Sequence, residues 1–569
     1  MRRPVVAAVV ALFLIPAALA HGLGGDVDGG GPYVPPAETV EIDTRGGENP
    51  CDNAKAEWRP SQRVEGVDVA ASLECTPDDP RAVAAFVKGT NRMPQQLLDD
   101  IGLHEDAVVK DDDLDGDGDP DIIRITLEVI ELNGWHLVDD ALQEPYEIAP
   151  GIAPTFWVFA PKTTIHHSGP FFELARMPTP PIRVEVGDQV FLTVENTHYL
   201  PHTIHLHGTD HPFQDAEGNG NDGVPVVSEM PILPGDARTY ELKPRVAGSF
   251  FYHCHVQVQV HVGMGLGALF IIEENRPDNW LQTLNPGAGP VRHPSVASRE
   301  RYDREYDMLY QDIDKELTAI PKTSNDARVI SERIHRDYDA TDAASDYFLL
   351  NGRSFPYTLR ESTVVVSPNE TVLLRVQNVG GSEVALHTHG HKGEVINIDG
   401  VPVQFPQIQD IYPLTAARRL DVVLNTTDDG FHSYGQGLWL THDHHEVAVT
   451  TDGINPGGDI TLIAYEDYLD PISALPKPLG GTFNLYFNPA YYRGEIPVFQ
   501  MSGLDFLGQA GDPNAANASN TANASPASAR TALPDESQRV TSAVPAPALM
   551  LVLSVIAGAA LAAQRRQPR

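Results

Sequence analysis

The spacing of hydrophobic residues along most of the chain is that of short β-strands. Between residues 122 and 275, runs such as IIRITLEVIEL, PTFWVFAP, IRVEVGDQVFLTVEN and GALFIIEE alternate with turns rich in glycine and proline. A second series, which includes STVVVSPNETVLLRVQN and DITLIAY, occupies residues 345–470. Regular short strands with such turns are typical of a β-sandwich or a barrel. We therefore expect an all-β protein.

The second series of strands repeats the first in the same order. VGDQVFLTVEN in the first series and SPNETVLLRVQN in the second each precede one histidine-bearing strand, and another histidine-bearing strand follows in both. An internal repeat of this kind indicates two copies of one structural unit. We predict two related domains, at 122–275 and 345–470, joined by a charged, tyrosine-rich connector at 276–344.

The two ends of the chain predict export. Residues 1–20, MRRPVVAAVVALFLIPAALA, have the basic start, apolar run and small-residue end of a secretory signal peptide. Residues 544–569, VPAPALMLVLSVIAGAALAAQRRQPR, resemble a PEP-CTERM sorting tail, and a permanent membrane anchor is the alternative. Residues 471–543 are expected to be a C-terminal extension with a disordered spacer. The body would then be periplasmic, at the cell surface or secreted, with its C-terminal helix contacting the membrane or sorting machinery.

The chain is strongly acidic, which limits the kinds of partner that it is expected to bind. The chain has 78 acidic and 40 basic residues, a formal net charge of -38. Phosphate binding requires the opposite sign, so nucleic acid is not expected as a partner. The acidity fits a well-solvated surface, and attraction of cationic substrates is the alternative.

Residues 21–121 form an N-terminal extension with two features of its own. Cys51 and Cys75 have no histidines near them in sequence, and in an oxidising compartment they predict a disulfide. Further along, DDDLDGDGDPD has the spacing of a calcium loop, with oxygen ligands at Asp113, Asp115, Asp117, Asp119 and Asp121.

That loop departs from the EF-hand pattern. Arg124 stands where the EF-hand has a bidentate Glu, and a strand-like segment follows in place of a helix. A calcium-bound turn and a solvated acidic loop therefore both remain open.

Four short stretches, HTIHLHG, YHCH, LHTHGH and LTHDHH, each contain two histidines spaced two residues apart. On a β-strand, such residues point to the same face, so each pair can present two imidazoles to one place. Two pairs belong to each predicted domain. They are His205 and His207, His253 and His255, His387 and His389, and His442 and His444.

Cys254 lies between two of these histidines, so its side chain is expected to point to the opposite face, into its own domain. His202 has the opposite parity to His205 and His207 and would also point inward. A cysteine and a histidine inside a β-sandwich, with Met264 nearby, form the ligand set of a mononuclear blue-copper site. Cys254 would thus join two metal sites.

The four stretches resemble the hallmark patterns of the multicopper oxidases, HxHG, HxH, HxxHxHG and HCHxxxH. Their order here resembles two-domain, laccase-like members with type 1 copper in the first domain. The resemblance implies two cupredoxin-like Greek-key β-sandwich domains in a homotrimer. It also implies a trinuclear cluster between the first domain of one subunit and the second domain of the next.

Carried over residue by residue, the resemblance implies about four copper ions per chain. Type 1 copper would be held by His202, Cys254, His261 and Met264, type 2 copper by His205 and His387, and the type 3 pair by His207, His253, His255, His389, His442 and His444. Asp222 resembles the acidic residue that relays protons to bound oxygen, although an aspartate of an ordinary turn is the alternative.

One position departs from the family. The second type 1 histidine is expected five residues after the cysteine, where this chain has Gln259. His261 stands two residues later, and we expect it to be the ligand because such loops vary in length. If Gln259 faced the copper instead, the type 1 site would be altered or lost.

The resemblance implies an enzyme that oxidises a phenolic or metal-ion donor one electron at a time and reduces O₂ to water. A copper-containing nitrite reductase is the alternative, but it does not require His255. A non-enzymatic electron carrier has no use for eight such histidines. Zinc is disfavoured because the candidate ligands include one cysteine and no closed knuckle of cysteines and histidines. The sequence does not specify the reducing substrate.

Overall fold

The computed structural model describes residues 40–41, 60–73, 77–134, 145–164, 174–471 and 473–496. The expected signal peptide, the Cys51–Cys75 disulfide, the C-terminal spacer and the sorting tail lie outside these residues. Within the described part of the chain, no helix has the length and apolarity needed to cross a membrane.

The N-terminal part comprises a small sheet and two helices, with strands β1 Val40–Glu41, β2 Gln62–Val64 and β3 Val67–Val69, and helices α1 Pro80–Lys88 and α2 Gln95–Ile101. Helix α1 begins where the Asp79 carboxylate accepts a hydrogen bond from the Arg81 N–H, with Pro80 in the first turn. The apolar faces of both helices pack into the core of the first domain. The N-terminal part therefore extends that core.

The first domain has two sheets and one short helix. Its elements are β4 Val108–Asp111, β5 Ile122–Leu132, β6 Phe156–Pro161, β7 Ile182–Glu185, β8 Gln189–Glu195, β9 His205–His207, β10 Ala237–Leu242, β11 Gly248–His253, α3 Val258–His261 and β12 Gly267–Glu273. One sheet has the order β10-β8-β5-β4, with β6 also paired to β5, and the other has the order β7-β12-β11-β9. Alternate residues of β8 are buried, as the sequence pattern predicts.

The segment between the two strand series contributes to both domains. It contains β13 Gly289–Pro290, α4 Val296–Arg299, β14 Arg304–Ile313, α5 Lys315–Ala319 and α6 Ala327–Arg336. Strand β14 is an inner strand of a sheet in the second domain. Helix α6 packs Ile330 and Ile334 against the first-domain core, which also contains Cys254.

The second domain has two further sheets. Its elements are β15 Tyr347–Leu350, α7 Thr358–Glu361, β16 Val364–Val366, β17 Thr371–Asn378, β18 Val384–Thr388, β19 Gly393–Ile398, β20 Val401–Gln409, β21 Ile411–Leu414, β22 Arg419–Asn425, β23 Leu438–Asp443, β24 Thr461–Tyr465 and α8 Pro489–Tyr492. One sheet has the order β13-β14-β17-β22-β19-β20, with β15 also paired to β14, and the other has the order β16-β24-β23-β18-β21.

The internal repeat is visible in the strand pairing. In the first domain β11 pairs antiparallel with β9 and β12, and β12 pairs parallel with β7. In the second domain β23 pairs antiparallel with β18 and β24, and β24 pairs parallel with β16. This arrangement confirms the predicted all-β fold with two cupredoxin-like domains.

The two domains meet through a buried network of ion pairs. Arg183 of β7 is fully buried and donates to both carboxylate oxygens of Asp307 on β14 and, at 3.2 Å, to Glu305. Arg375 of β17 reaches back to Glu273 of β12 at 2.7 Å. Because each charge has lost its hydration, each depends on its partners. The network therefore fixes the orientation of the first domain on the β14-β17-β22 sheet.

We expect Arg183→Met to destabilise the protein by roughly 3–5 kcal/mol, because it leaves Asp307 buried without its cation. Urea denaturation followed by tryptophan fluorescence would measure the change. The matched control is Arg63→Met, since Arg63 lies half-exposed 3.7 Å from Asp68 and should cost no more than about 1 kcal/mol. Equal losses in the two variants would contradict a structural role for the network.

Candidate metal centre

The inward-facing residues around Cys254 form one cluster. His202, Cys254 and His261 place their candidate ligand atoms within 4.8 Å of one another. The Cys254 Sγ lies 3.6 Å from His202 Nδ1 and 3.2 Å from His261 Nδ1. Met264 is fully buried in the same core. Gln259, in contrast, is exposed.

Local backbone geometry explains the position of His261. Strand β11 ends at His253, and the Cys254 N–H donates to Leu266 O, which holds the cysteine against β12. Helix α3 then turns the chain back, so that His261 returns to the sulfur while Gln259 lies on the outer side of the helix. This short helix accommodates the two extra residues between the cysteine and its histidine neighbour.

Burial keeps these groups uncharged in the metal-free chain. It lowers the pKa of His261 to about 3 and the pKa of His202 well below its usual range. Burial also raises the pKa of the Cys254 thiol to about 12. A neutral imidazole is the form that binds a metal, whereas the thiol must release its proton on binding.

Residues that the sequence analysis did not single out surround this cluster. His198 Nδ1 lies 2.9 Å from His202 Nε2. Trp157 packs its ring 5.1 Å from the His261 ring and 4.9 Å from the His198 ring, and its Nε1 donates to Glu131. His198 lies in a loop, where strand periodicity does not show which way a side chain points. Its spacing of four residues from His202 is the feature of the sequence that could have identified it.

The outward-facing histidines of the first domain form a second cluster. His205 on β9 pairs in register with His253 on β11. His207 Nε2 lies 2.9 Å from His253 Nε2, and the His255 ring is 5.1 Å from the His205 ring. The Nδ1 atoms of His205 and His253 contact the carbonyl oxygens of Asp222 and Cys254, respectively. Their Nε2 atoms are therefore left for a shared ligand.

The second domain repeats this arrangement. His387 on β18 pairs in register with His442 on β23, and His389 Nε2 lies 3.2 Å from His442 Nε2. The Nδ1 atoms of His387 and His442 contact the carbonyl oxygens of Asp410 and Asp443. His444 completes the set with its ring 5.5 Å from that of His387. The eight histidines thus form two matching groups of four.

Asp222 lies beside the first group. Its Oδ1 is 3.4 Å from His205 Nδ1 and 3.2 Å from His211 Nε2. The carboxylate is partly exposed, so it connects the cluster with solvent.

The five aspartates of the acidic loop fall into two sets in the structure. Oxygens of Asp113, Asp115 and Asp117 lie within 4.8 Å of one another. Asp119 and Asp121 are buried and accept hydrogen bonds from the backbone N–H groups of Asn279 and Leu114. Three of the five aspartates therefore converge, and the other two hold the loop in place.

The donor set around Cys254 fits copper. A thiolate and two imidazoles in a buried site, with a thioether in the same core, are the ligands that hold copper in blue electron-transfer sites. The histidine groups contain only imidazole nitrogens, which suit copper equally well.

Comparison with known proteins gives matches in both domains. Residues 175–277 and 321–443 each match a family model described as multicopper oxidase. The chain is 24% identical over 333 residues to the iron transport multicopper oxidase FET3 of Gibberella zeae, which covers 53% of this chain and 46% of that protein. It is 27% identical over 248 residues to a laccase of Arthroderma benhamiae, covering 42% of this chain and 32% of the laccase. Among solved structures, the blue copper oxidase from Nitrosomonas europaea is 25% identical with a TM-score of 0.45, covering 68% of this chain and 98% of that one.

The chain spans less than half the length of these curated relatives, since the matched stretches cover 46% and 32% of them.

We expect the copper-free protein to lose stability as the pH falls from 6.5 towards 5, in part through His261. In the folded state this imidazole stays neutral down to a pKa of about 3, whereas in the unfolded chain it takes up a proton below about pH 6.5. One such group costs about 1.6 kcal/mol between pH 6.5 and pH 5. The loss should therefore be shallower by about that amount in His261→Gln, measured by urea denaturation at both pH values. Parallel pH profiles for the two proteins would contradict the buried, neutral state of His261.

Proposed function

We propose that this chain, in which residues 175–277 and 321–443 each match a multicopper oxidase family model, oxidises a small reducing substrate one electron at a time and transfers the electrons to O₂, forming water. The observation that carries this proposal is the position of Cys254. Its sulfur lies against His202 and His261, while its neighbours His253 and His255 join the outward-facing histidine group.

In this proposal His202, Cys254 and His261 would hold type 1 copper, and the buried thioether of Met264 would be the fourth ligand. Copper supplies a centre that gains and loses single electrons at this site, and at the histidine groups it supplies the centre where O₂ is reduced. Because Cys254 is bonded through the backbone to both His253 and His255, an electron has a short covalent path between the two sites.

The two histidine groups are proposed to meet between subunits. In one chain, β11 of the first domain contacts β22 and β19 of the second. The second-domain histidines lie on β18 and β23 or directly after them, and these strands belong to the other sheet of that sandwich. Packed sheets are about 10 Å apart, and no ring contact joins the two groups among the described residues. A second copy of the chain is therefore needed to complete the proposed trinuclear site, of which the type 2 ligands are His205 and His387.

Exposed apolar side chains near both groups support this assembly. In the loop that includes Asp222, Val226 is 86% exposed and Met230 is 75% exposed. In the second domain, Ile411 is 41% exposed and pairs in register with His387. Apolar patches of this kind commonly mark subunit interfaces. A homotrimer, the arrangement implied by family resemblance, would cover them.

The remaining assignments follow the same proposal. Asp222 relays protons to the O₂ site, because its carboxylate contacts His205 and reaches solvent. Asp113, Asp115 and Asp117 bind Ca²⁺, with Asp119 and Asp121 fixing the loop. The chain acts outside the cytoplasm, for which the apolar N-terminal segment is the support.

A copper-containing nitrite reductase is the second candidate. It would need the Cys254 site but would have no use for His255, whose ring lies 5.1 Å from that of His205. The complete group of four imidazoles in each domain favours O₂ as the electron acceptor.

The proposal is tested by loading the full chain with copper and comparing His261→Ala with its neighbour Gln259→Ala. We expect the wild-type protein to bind about four copper ions, to show the intense blue thiolate absorption, and to consume one O₂ for every four electrons donated. Gln259→Ala should retain the blue absorption, since that side chain is exposed, whereas His261→Ala should lose it. Visible and electron paramagnetic resonance spectra, together with O₂ uptake, measure these outcomes.

If the wild-type protein reduced nitrite and took up no O₂, it would be a copper-containing nitrite reductase and the oxidase proposal would be wrong. Loss of the blue absorption in Gln259→Ala, with retention in His261→Ala, would overturn the proposed ligand set.

A further inference from the structure

The site around Cys254 is sealed from solvent. His202, Cys254 and Met264 have no exposed surface, and His261 is 1% exposed. A reducing substrate therefore cannot touch any of these four side chains. Electrons from outside have to cross a layer of protein, and the residues of that layer decide which donors can react.

One series of contacts leads from this site to the surface. His202 Nε2, which points away from the sulfur, lies 2.9 Å from His198 Nδ1. The His198 ring lies 4.0 Å from the ring of Tyr199, which is partly exposed. The Tyr199 hydroxyl donates to the buried Glu131 at 2.5 Å, and Trp157 Nε1 donates to the same carboxylate oxygen at 2.9 Å. Glu131 thereby fixes both aromatic rings beside the two histidines.

Tyr199 also forms one wall of a cleft of about 610 Å³. Helix α6 also lines the cleft and contributes Ser331, Glu332 and His335. The helix is held over the first domain by Ile330 and Ile334, and Gln257 Nε2 lies 2.7 Å from His335 Nε2. The volume suits a small organic molecule.

We propose that this cleft binds a small aromatic reductant and that Tyr199 and His198 pass its electron to His202. This inference rests on the proposed oxidase function. In each event a phenol loses one electron and its hydroxyl proton, the proton goes to solvent, and a phenoxyl radical leaves the cleft. Four such events supply the electrons that convert one O₂ and four protons into two molecules of water.

The side chains of the cleft favour an aromatic donor over a metal ion. Its carboxylate, Glu332, is paired with Arg336 at 2.6 Å, and Tyr199 and Leu200 present aromatic and aliphatic surface. Among the described residues, the groups of three or more side chains that could hold a metal include none at this cleft. A ferrous or manganous ion would thus find no set of ligands there.

Docking is tested with Ser331→Trp, which fills the cleft from helix α6, against Ala340→Trp, an exposed position that does not line it. With 2,6-dimethoxyphenol as donor, Ser331→Trp should raise KM about tenfold or more while the blue absorption stays unchanged. Isothermal titration calorimetry with 4-nitrophenol on the copper-free chain should show a matching loss of affinity. Ala340→Trp should behave as the wild-type protein in both assays.

The electron path is tested at Tyr199 by single-turnover reduction of the blue absorption. Tyr199→Leu removes the ring contact with His198 and should slow reduction about tenfold at saturating donor, and Tyr199→Phe, which keeps the ring, should restore most of the rate. Unchanged KM and affinity in Ser331→Trp would overturn the docking site, and an unchanged rate in Tyr199→Leu would overturn the path. A wild-type protein that binds copper but oxidises no donor would instead refute the underlying oxidase function.

Discussion

The whole arrangement depends on the alternation of side chains at the end of strand β11. Three consecutive residues serve two sites, because the side chain of Cys254 turns into its domain while His253 and His255 turn out. Pairing with β9 and β12 holds this end of the strand, so that His253 lies opposite His205 and the Cys254 N–H reaches Leu266. A slip of one residue in this register would exchange the buried and outward positions and abolish both sites.

Burial then gives each site its chemical character. The inner site consists of a thiol and imidazoles that are kept neutral by their apolar surroundings, and it is sealed by helix α6 and the loop that carries His198. In each outer group, two histidines hold their Nδ1 atoms on backbone carbonyls, which leaves their Nε2 atoms for a shared ligand. The inner site is buried enough for its apolar surroundings to set the protonation of its ligands, whereas the outer groups are open enough to contact a second chain.

Much of this could be predicted from the sequence, because a period of two fixes which side chains share a face. That rule was sufficient for the four histidine pairs and for Cys254. It could not place His261, whose position depends on the turn of helix α3, or His198, which lies in a loop. The predicted connector also contains a sheet strand, β14, and the helix that covers the inner site, because tertiary pairing outweighs the local charge pattern. The acidic loop has the residue spacing of a calcium loop, yet Asp119 and Asp121 accept hydrogen bonds from the backbone instead of converging with the other three aspartates.

The proposed function requires that histidine groups of two different chains together hold one copper cluster. The most direct measurement is anomalous diffraction at the copper absorption edge from crystals of the copper-loaded protein. We expect one copper at Cys254 and a group of copper ions between His205, His207, His253 and His255 of one chain and His387, His389, His442 and His444 of a second chain. Copper at Cys254 alone, or histidine groups that each face solvent in the assembled protein, would contradict the account.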